Sequence, residues 1–181
     1  MQIIRLITLL IALLPITSKA AIMIEPYVGY STINYSGSLK LSGTKADIDS
    51  TTMSGMTYGG RLGAHFLNVG AGLDYSQASY NDPSRVQHIG AYGMVSFFFF
   101  RLWGTYIASS SRTFEDSSNN INNTAKGSGF KAGLGWSILP LLSLNFEYLS
   151  LHYTKEDNSN ITDFDEKDTG MLVSLSMPLS F

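Results

Sequence analysis

Along Met171 to Phe181 the side chains alternate in character. Met171, Val173, Leu175, Met177, Leu179 and Phe181 are apolar, and between them lie Gly170, Ser174, Ser176, Pro178 and Ser180, with Leu172 alone breaking the pattern. A repeat of two belongs to a β-strand whose faces meet different surroundings. The same rhythm returns through the chain from Ala21 onward and predicts strands over 22–36, 54–66, 69–80, 86–98, 102–114, 127–138, 141–154 and 169–181. Each of these is at least as long as the roughly 9–11 residues with which a tilted strand crosses a bilayer, whereas strands of soluble domains average about 5–6.

The connections divide into two kinds. Leu67-Asn68, the Phe99 to Arg101 region and Leu139-Pro140 are tight, while 37–53, 115–126 and 155–168 are long and polar; 81–85 (Asn-Asp-Pro-Ser-Arg) is short but sits on the polar side of the pattern. Short turns at one end and long loops at the other are the layout of an outer-membrane barrel, and an even strand count leaves both termini at the short-turn end.

Alternation alone does not say which face is wet. If Leu67-Asn68 is a two-residue hairpin loop, Phe66 falls opposite Val69, Ala64 opposite Ala71 and Leu62 opposite Leu73 on one face, and Gly63 opposite Gly72 and Arg61 opposite Asp74 on the other. A turn over Ile138-Leu139-Pro140 puts Trp136 opposite Leu142, Leu134 opposite Leu144 and Ala132 opposite Phe146, with Gly133 opposite Asn145 and Lys131 opposite Glu147 behind them. Twice, an acid meets a base on the polar face. A lone Arg or Lys on the lipid face costs about 2–4 kcal/mol near mid-bilayer, so the polar face is assigned to the lumen. Glu25, beside Tyr27, Gly29 and Ser31 on the first strand, joins this group.

Composition agrees. Charged residues are 14% of the chain, about half the roughly 25% of a soluble domain, which implies a surface facing something other than water. There is no cysteine, so neither a disulfide framework nor a thiolate metal site is expected. Met1 to Ala20 has a basic start at Arg5, an apolar run from Leu6 to Ile16, and Ser18-Lys19-Ala20 as a small-x-small cleavage site. We expect a signal peptide over 1–20, cleaved after Ala20, and one barrel domain over 21–181. Without Arg5 and Lys19 the 12 basic residues become 10 against 14 acidic ones, a net charge of −4 that gives no support to nucleic-acid binding.

Aromatic residues gather in two bands. Phe66, Phe97 to Phe100, Trp103, Trp136 and Phe181 lie near the short turns, and Tyr30, Tyr58, Tyr75, Phe130 and Tyr148 toward the long loops, as interfacial girdles would. The fifth strand is ambiguous, because Trp103, Thr105 and Ile107 compete with Leu102, Tyr106 and Ala108 for the outward face.

On these features the chain resembles the small eight-stranded outer-membrane barrels, the group that includes OmpX and the membrane domain of OmpA. The resemblance spans about 160 residues. It implies an all-β, eight-stranded antiparallel up-and-down transmembrane β-barrel in the cell outer membrane with both termini periplasmic. It also implies that Phe181 is the signal read by the barrel-assembly machinery, and that Arg61, Asp74, Lys131 and Glu147 form the ion pairs familiar inside such barrels. No peptidoglycan-binding domain is expected after the barrel.

Some barrels of this size modify lipid A, which makes the histidines candidate bases. The His-x-Ser-Asn signature of the deacylase group follows none of His65, His88 and His152. His65 and His88 are expected in the lumen as packed polar groups. His152, with Ser150, Tyr153 and Asp157 nearby, is the best placed of the three, but a single strand cannot orient such a set. Glu156, Asp157, Asp163, Asp165, Glu166 and Asp168 are expected to form an acidic, solvated loop without EF-hand spacing. The loop 115–126 is low in complexity.

The expectation is thus a non-catalytic barrel with a structural or surface-interaction role, without cofactor or metal. A narrow channel or carrier of small apolar ligands is the alternative, and a lipid A-modifying enzyme a third. The expected partners are outer-membrane lipids and lipopolysaccharide, the barrel-assembly machinery, and an extracellular partner met by the long loops.

Overall fold

A computed structural model describes residues 20–41, 44–81, 84–116, 121–156 and 161–181. The signal peptide expected over 1–20 lies, apart from Ala20, outside the described residues.

The chain runs up and down through β1 (Ala21–Leu41), β2 (Thr44–Phe66), β3 (Val69–Tyr80), β4 (Ser84–Phe97), β5 (Phe100–Asp116), β6 (Ile121–Leu139), β7 (Leu142–Glu156) and β8 (Ile161–Ser176). Every strand is antiparallel to its neighbours, and β1 pairs with both β2 and β8, so the sheet closes. A two-residue piece, β9 (Leu179–Ser180), continues β8 in the same register: Tyr27 opposes Ser176 and Met23 opposes Ser180. The break falls at Pro178, which has no N–H to give to the ladder. Phe181 then closes the seam by exchanging two backbone hydrogen bonds with Ile22, at 3.1 and 3.0 Å.

Alternation sorts the side chains as the barrel requires. Leu62, Leu73, Val95, Leu102, Phe146 and Val173 face outward, and the tyrosines 30, 58, 75, 106 and 148 with Phe130 form one outer belt. Phe66, Phe97, Phe100, Trp136 and Phe181 form the other. In water this surface would be an aggregation hazard; between two aromatic belts it is a lipid-facing band. Just beyond the tyrosine belt the outward positions turn polar at once, with Thr32, Ser54, Gln77, Gln87, Ser109, Ser128, Ser150 and Thr169.

The structure corrects the expected layout in four places. First, most of the three long loops is strand: β1–β2 pairing runs to Leu41 opposite Thr44, β5–β6 to Asp116 opposite Ile121, and β8–β1 to Ile161 opposite Leu41. Polar residues beyond the membrane mask the apolar alternation by which a strand is recognised, yet backbone pairing goes on without it. Second, the β4–β5 turn is Phe98-Phe99 rather than Phe99 to Arg101, with Phe98 at φ 52°.

Third, the β6–β7 pairing is displaced by two residues. Leu134 opposes Phe146, Ala132 opposes Tyr148 and Gly133 opposes Glu147, so Lys131 faces Leu149 rather than Glu147. The tip is Pro140-Leu141, where the fixed φ of proline suits the first tip position, and an irregularity between Ser137 and Leu139 takes up one more residue. A shift of two leaves every side chain on its expected face. The β2–β3 register is as expected, with Arg61 opposite Asp74 and Leu62 opposite Leu73.

Fourth, Trp103 belongs to the lumen and not to the aromatic belt. On β5 Arg101, Trp103, Thr105 and Ile107 point inward and Leu102 and Tyr106 outward. A bulge then places Ile89 opposite Ser109 and Gly90 opposite Ile107, so Ala108 and Ser109 both face out and the parity flips before Ser110 and Arg112. The alternation over 102–108 is ambiguous in the sequence because Trp103 and Ile107 are apolar residues turned into the lumen, and beyond it the bulge reverses the parity.

Two substitutions test the fold. Leu62, midway between the belts and 54% exposed, is expected to lose about 2–4 kcal/mol of stability as Leu62→Arg, measured by urea unfolding in lipid vesicles. Leu67 holds φ 55° at the β2–β3 tip, where a branched side chain is strained; Leu67→Asn is expected to stabilise the barrel by about 1 kcal/mol.

Candidate functional site in the lumen

Eight strands enclose an interior just wide enough for side chains, so whatever the lumen does is done by the residues filling it. Near the short-turn end Met23, Tyr92, Met94 and Trp103 form a small apolar floor. Around and directly above it the inward positions of six strands supply charge: Glu25 from β1, Arg61 from β2, Asp74 from β3, Lys131 from β6 and Glu147 from β7, with Arg101 from β5 one inward position nearer the short turn than Trp103.

Arg61 is the hub. Its guanidinium lies 2.7 Å from Glu147, 3.4 Å from Glu25 and 3.4 Å from Asp74. Lys131 Nζ meets Asp74 at 2.9 Å and Glu147 at 3.7 Å, and Arg101 meets Glu25 at 2.7 Å. Tyr27 donates its hydroxyl to Asp74 at 3.0 Å, and Ser176 donates to Glu25 at 2.6 Å. The guanidinium of Arg61 also lies over Trp103 at 4.2 Å and Tyr27 at 4.9 Å from the ring centroids. Three acids and three bases cancel, which is the condition on which a group of charges survives out of water.

Glycine makes the stacking feasible. A Cβ on Gly133 would run into the indole of Trp103, so only the bare backbone of β6 lets that ring lie flat beneath Arg61. Lys131 and Glu147 are joined diagonally across the β6–β7 ladder rather than face to face, since Gly133 is the residue opposite Glu147.

Above this layer the lumen becomes apolar again, with Ile33, Val86, Ile107, Leu149, Leu151 and Tyr153 buried together. Between the two lies a cavity of about 20 Å³ bordered by Ser31, Thr57, His88 and Lys131, room for about one water molecule. A second ion cluster caps the apolar layer. Arg112 bonds both Glu166 and Asp168, and its guanidinium faces the rings of Tyr153 at 4.9 Å and Tyr35 at 5.7 Å.

This second cluster overturns the expected acidic loop. Glu166 and Asp168 belong to β8 and point into the lumen, while Asp165 points out and bonds His152 at 2.7 Å. Asp157 lies outside the described residues. Among the described residues no group of acids and histidines is arranged to hold a metal ion. Arg101, Arg112 and Trp103 are the lumenal groups that alternation did not reveal. Arg101 shares a face with Trp103 by simple alternation, but Arg112 joins them only once the β5 bulge is known.

The histidines separate. His65 lies near the short turns, 3.2 Å from the hydroxyl of Ser180. His88 is buried, with Nδ1 3.0 Å from Ser110, whose hydroxyl in turn meets Tyr153 at 2.8 Å. Ser110 and Tyr153 are fully buried, so this Ser–His pair has no path to a substrate. Of the grouping expected around His152, Ser150 shares its outward face, Tyr153 points inward, and Asp157 lies outside the described residues.

Removing the hub tests the network. Arg61→Ala leaves Glu25, Asp74 and Glu147 facing one another with Lys131 and Arg101 as the remaining bases, and is expected to lower unfolding free energy by about 3–5 kcal/mol, read from the urea midpoint of the folded barrel.

No protein-family model matches the sequence, and no curated protein matches it either. Solved structures do match in shape. Neisserial surface protein A is 14% identical over 84% of this chain and 96% of its own, with a TM-score of 0.52. The N-terminal β-barrel domain of Pseudomonas aeruginosa OprF is 12% identical over 87% of this chain and 99% of its own, at 0.47. Ail, the attachment invasion locus protein of Yersinia pestis, solved in complex with the heparin analogue sucrose octasulfate, is 14% identical over 87% and 99%, at 0.45. At these identities the likeness concerns the fold alone. A closed antiparallel sheet, an apolar outer band and the match to the Neisserial barrel lead to one conclusion: this chain has the fold of the small eight-stranded outer-membrane β-barrels.

Proposed function

We propose that the protein is a non-catalytic outer-membrane barrel that presents its long hairpins to the outside as an interaction surface, with both termini in the periplasm. One observation carries this reading. Beyond the tyrosine belt β2 pairs with β3 only from Gly55 opposite Tyr80, while its pairing with β1 continues to Thr44 opposite Leu41. Among the described residues, the far half of β2 therefore has a partner on one side only.

A strand edge of this kind offers a row of unpaired N–H and C=O groups to an incoming extended segment. The strand is 23 residues long, about twice what a bilayer crossing needs, so half of it is available outside the membrane. The neighbouring strands β3 and β4 end at Tyr80 and begin at Ser84, and among the described residues the contact with β2 goes no farther than the bond from Asn81 N–H to the carbonyl of Ser54 at 3.0 Å. The partner that suits it is an extended peptide segment of a surface or matrix protein.

The filled lumen supports the same reading against a channel. Two ion clusters with an apolar layer between them occupy the interior, and a solute would have to part both. Activity as a lipid-modifying enzyme draws no support from the histidines, for the reasons given above.

Tyr35 opposes Thr51, so residues 36–50 can be replaced by an Asn-Gly turn that preserves the register below. This variant is expected to keep the heat-modifiable gel mobility of a folded barrel. Its binding to immobilised matrix protein should fall by about tenfold or more, the equivalent of a few lost backbone hydrogen bonds. Unchanged binding defeats the proposal. In planar bilayers neither form should conduct; a steady open current from the wild-type barrel would instead favour a channel.

A further inference from the structure

Above the ion cluster of Arg112 the closed sheet divides. Among the described residues β8 pairs with β7 only as far as Glu166 opposite Tyr153, and β2 is bonded to β3 no higher than Ser54. The three strands between these limits stay together: β8 pairs with β1 to Ile161 opposite Leu41, and β1 with β2 to Leu41 opposite Thr44. They form a three-stranded flap, paired within itself and joined to the rest of the sheet only at its root. Such a flap has two exposed edges and no ladder that fixes its position.

Arg112 ties the root of the flap to the opposite wall. It comes from β5, four strands from β1 in either direction round the barrel, and bonds Glu166 and Asp168 on the inner face of β8. Its guanidinium also faces the ring of Tyr35 on β1 at 5.7 Å. Asp168, Tyr35 and Thr51 lie in one cross-strand row that runs from β8 through β1 to β2. The tie therefore acts on a row that ends in the half-paired part of β2.

The charges at this tie do not balance on their own. Two carboxylates meet one guanidinium, all three groups are buried, and Oδ1 of Asp168 has no hydrogen-bond partner. Among the described residues no second lysine or arginine faces this space: Tyr35, Tyr80 and Tyr153 surround it, and Lys131 and His88 belong to the layer beneath. On β8 itself Asp165 and Lys167 point outward. A buried, unpaired carboxylate is costly, and a proton is the smallest cation that completes the set.

We propose that Arg112, Glu166 and Asp168 form a proton-dependent latch: it holds the β8–β1–β2 flap to β5 while the acid pair carries a proton, and releases it when both acids ionise. The chemistry of the pair agrees. Both acids stand past Thr169, on the water side of the tyrosine belt, and burial pushes the Asp168 carboxyl up to about 7, against Arg112 and with the help of Glu166. Burial raises Glu166 as well. A hydrated aspartate titrates near about 4, so between these values the closed latch keeps a proton that an opened one gives up. Closure is thus favoured in acid and lost as pH rises through about 7. A fixed edge binds an extended segment at lower ordering cost than a mobile one, so the latch regulates the interaction surface proposed above and, in that role, rests on it.

The chain has no cysteine, so spin labels go only where cysteines are introduced. Ser50→Cys on the flap and Arg85→Cys on β4 are both at exposed positions. In the refolded full barrel in lipid vesicles, this pair is expected to give one narrow interspin distance at about pH 5.5 and an added broad population at about pH 8.5. Asp168→Asn, which keeps the shape of the side chain without its charge, should hold the narrow distance at both, and Glu166→Gln should do the same. Arg112→Gln should show the broad population at both. His152→Gln removes the outward imidazole bonded to Asp165 and should leave the response in place. Binding to the immobilised matrix protein should be about tenfold weaker at the higher pH, and equal at both in Asp168→Asn.

The latch is overturned if the distances are the same at both pH values, if Asp168→Asn and Glu166→Gln respond to pH as the wild type does, or if His152→Gln abolishes the response. The distances are read without any binding partner, so the latch and the interaction surface fail separately.

Discussion

Hydrocarbon offers no hydrogen bonds, and the rest of this structure follows from that. Each backbone N–H and C=O within the bilayer must find its partner in the chain, which a sheet achieves only by closing on itself. Closure here depends on β1, which pairs with β2 on one side and β8 on the other. Phe181 completes it by bonding both backbone groups of Ile22 after Pro178 has interrupted the ladder. Once the sheet is closed, alternation has only two destinations, and the apolar set goes to lipid.

The other destination is a narrow lumen, where polar groups are as far from bulk water as those in a soluble core. Charge is admitted there on condition of balance. Glu25, Asp74 and Glu147 are answered by Arg61, Arg101 and Lys131, and the aromatic faces of Trp103 and Tyr27 cover the guanidinium of Arg61. Arg112 repeats the device higher up with Glu166 and Asp168. Because each base comes from one strand and its acids from others, these clusters also tie strands together across the barrel, beyond the reach of ladder hydrogen bonds.

Above the belts the constraint is lifted and the strands behave differently. Water can satisfy the backbone, so the sheet need no longer be closed; the far part of β2 keeps β1 as its neighbour and dispenses with β3. The same change of solvent explains why basic side chains appear on the outer wall only past Phe130 and Tyr148. Below that line an outward lysine would lie in hydrocarbon; above it, one meets headgroups.

The sequence by itself determined the fold class, the number of long strands and, outside the fifth strand, which residues face lipid, because period-two alternation survives any shift of register by two. It placed Arg61 opposite Asp74, since a two-residue turn leaves no freedom in pairing. It could not place Lys131 relative to Glu147, because the bulge and the Pro140-Leu141 tip move that hairpin without changing either face. Nor could it reveal the side on which Trp103, Arg101 and Arg112 lie: apolar residues stand on both faces of β5 below the bulge, and the bulge reverses parity before Arg112. Glu166 and Asp168 looked like loop acids until β8 was seen to extend through them. Only the tertiary structure decided these, because they depend on which residues from distant strands meet inside a closed barrel, and such meetings leave no local periodicity to read.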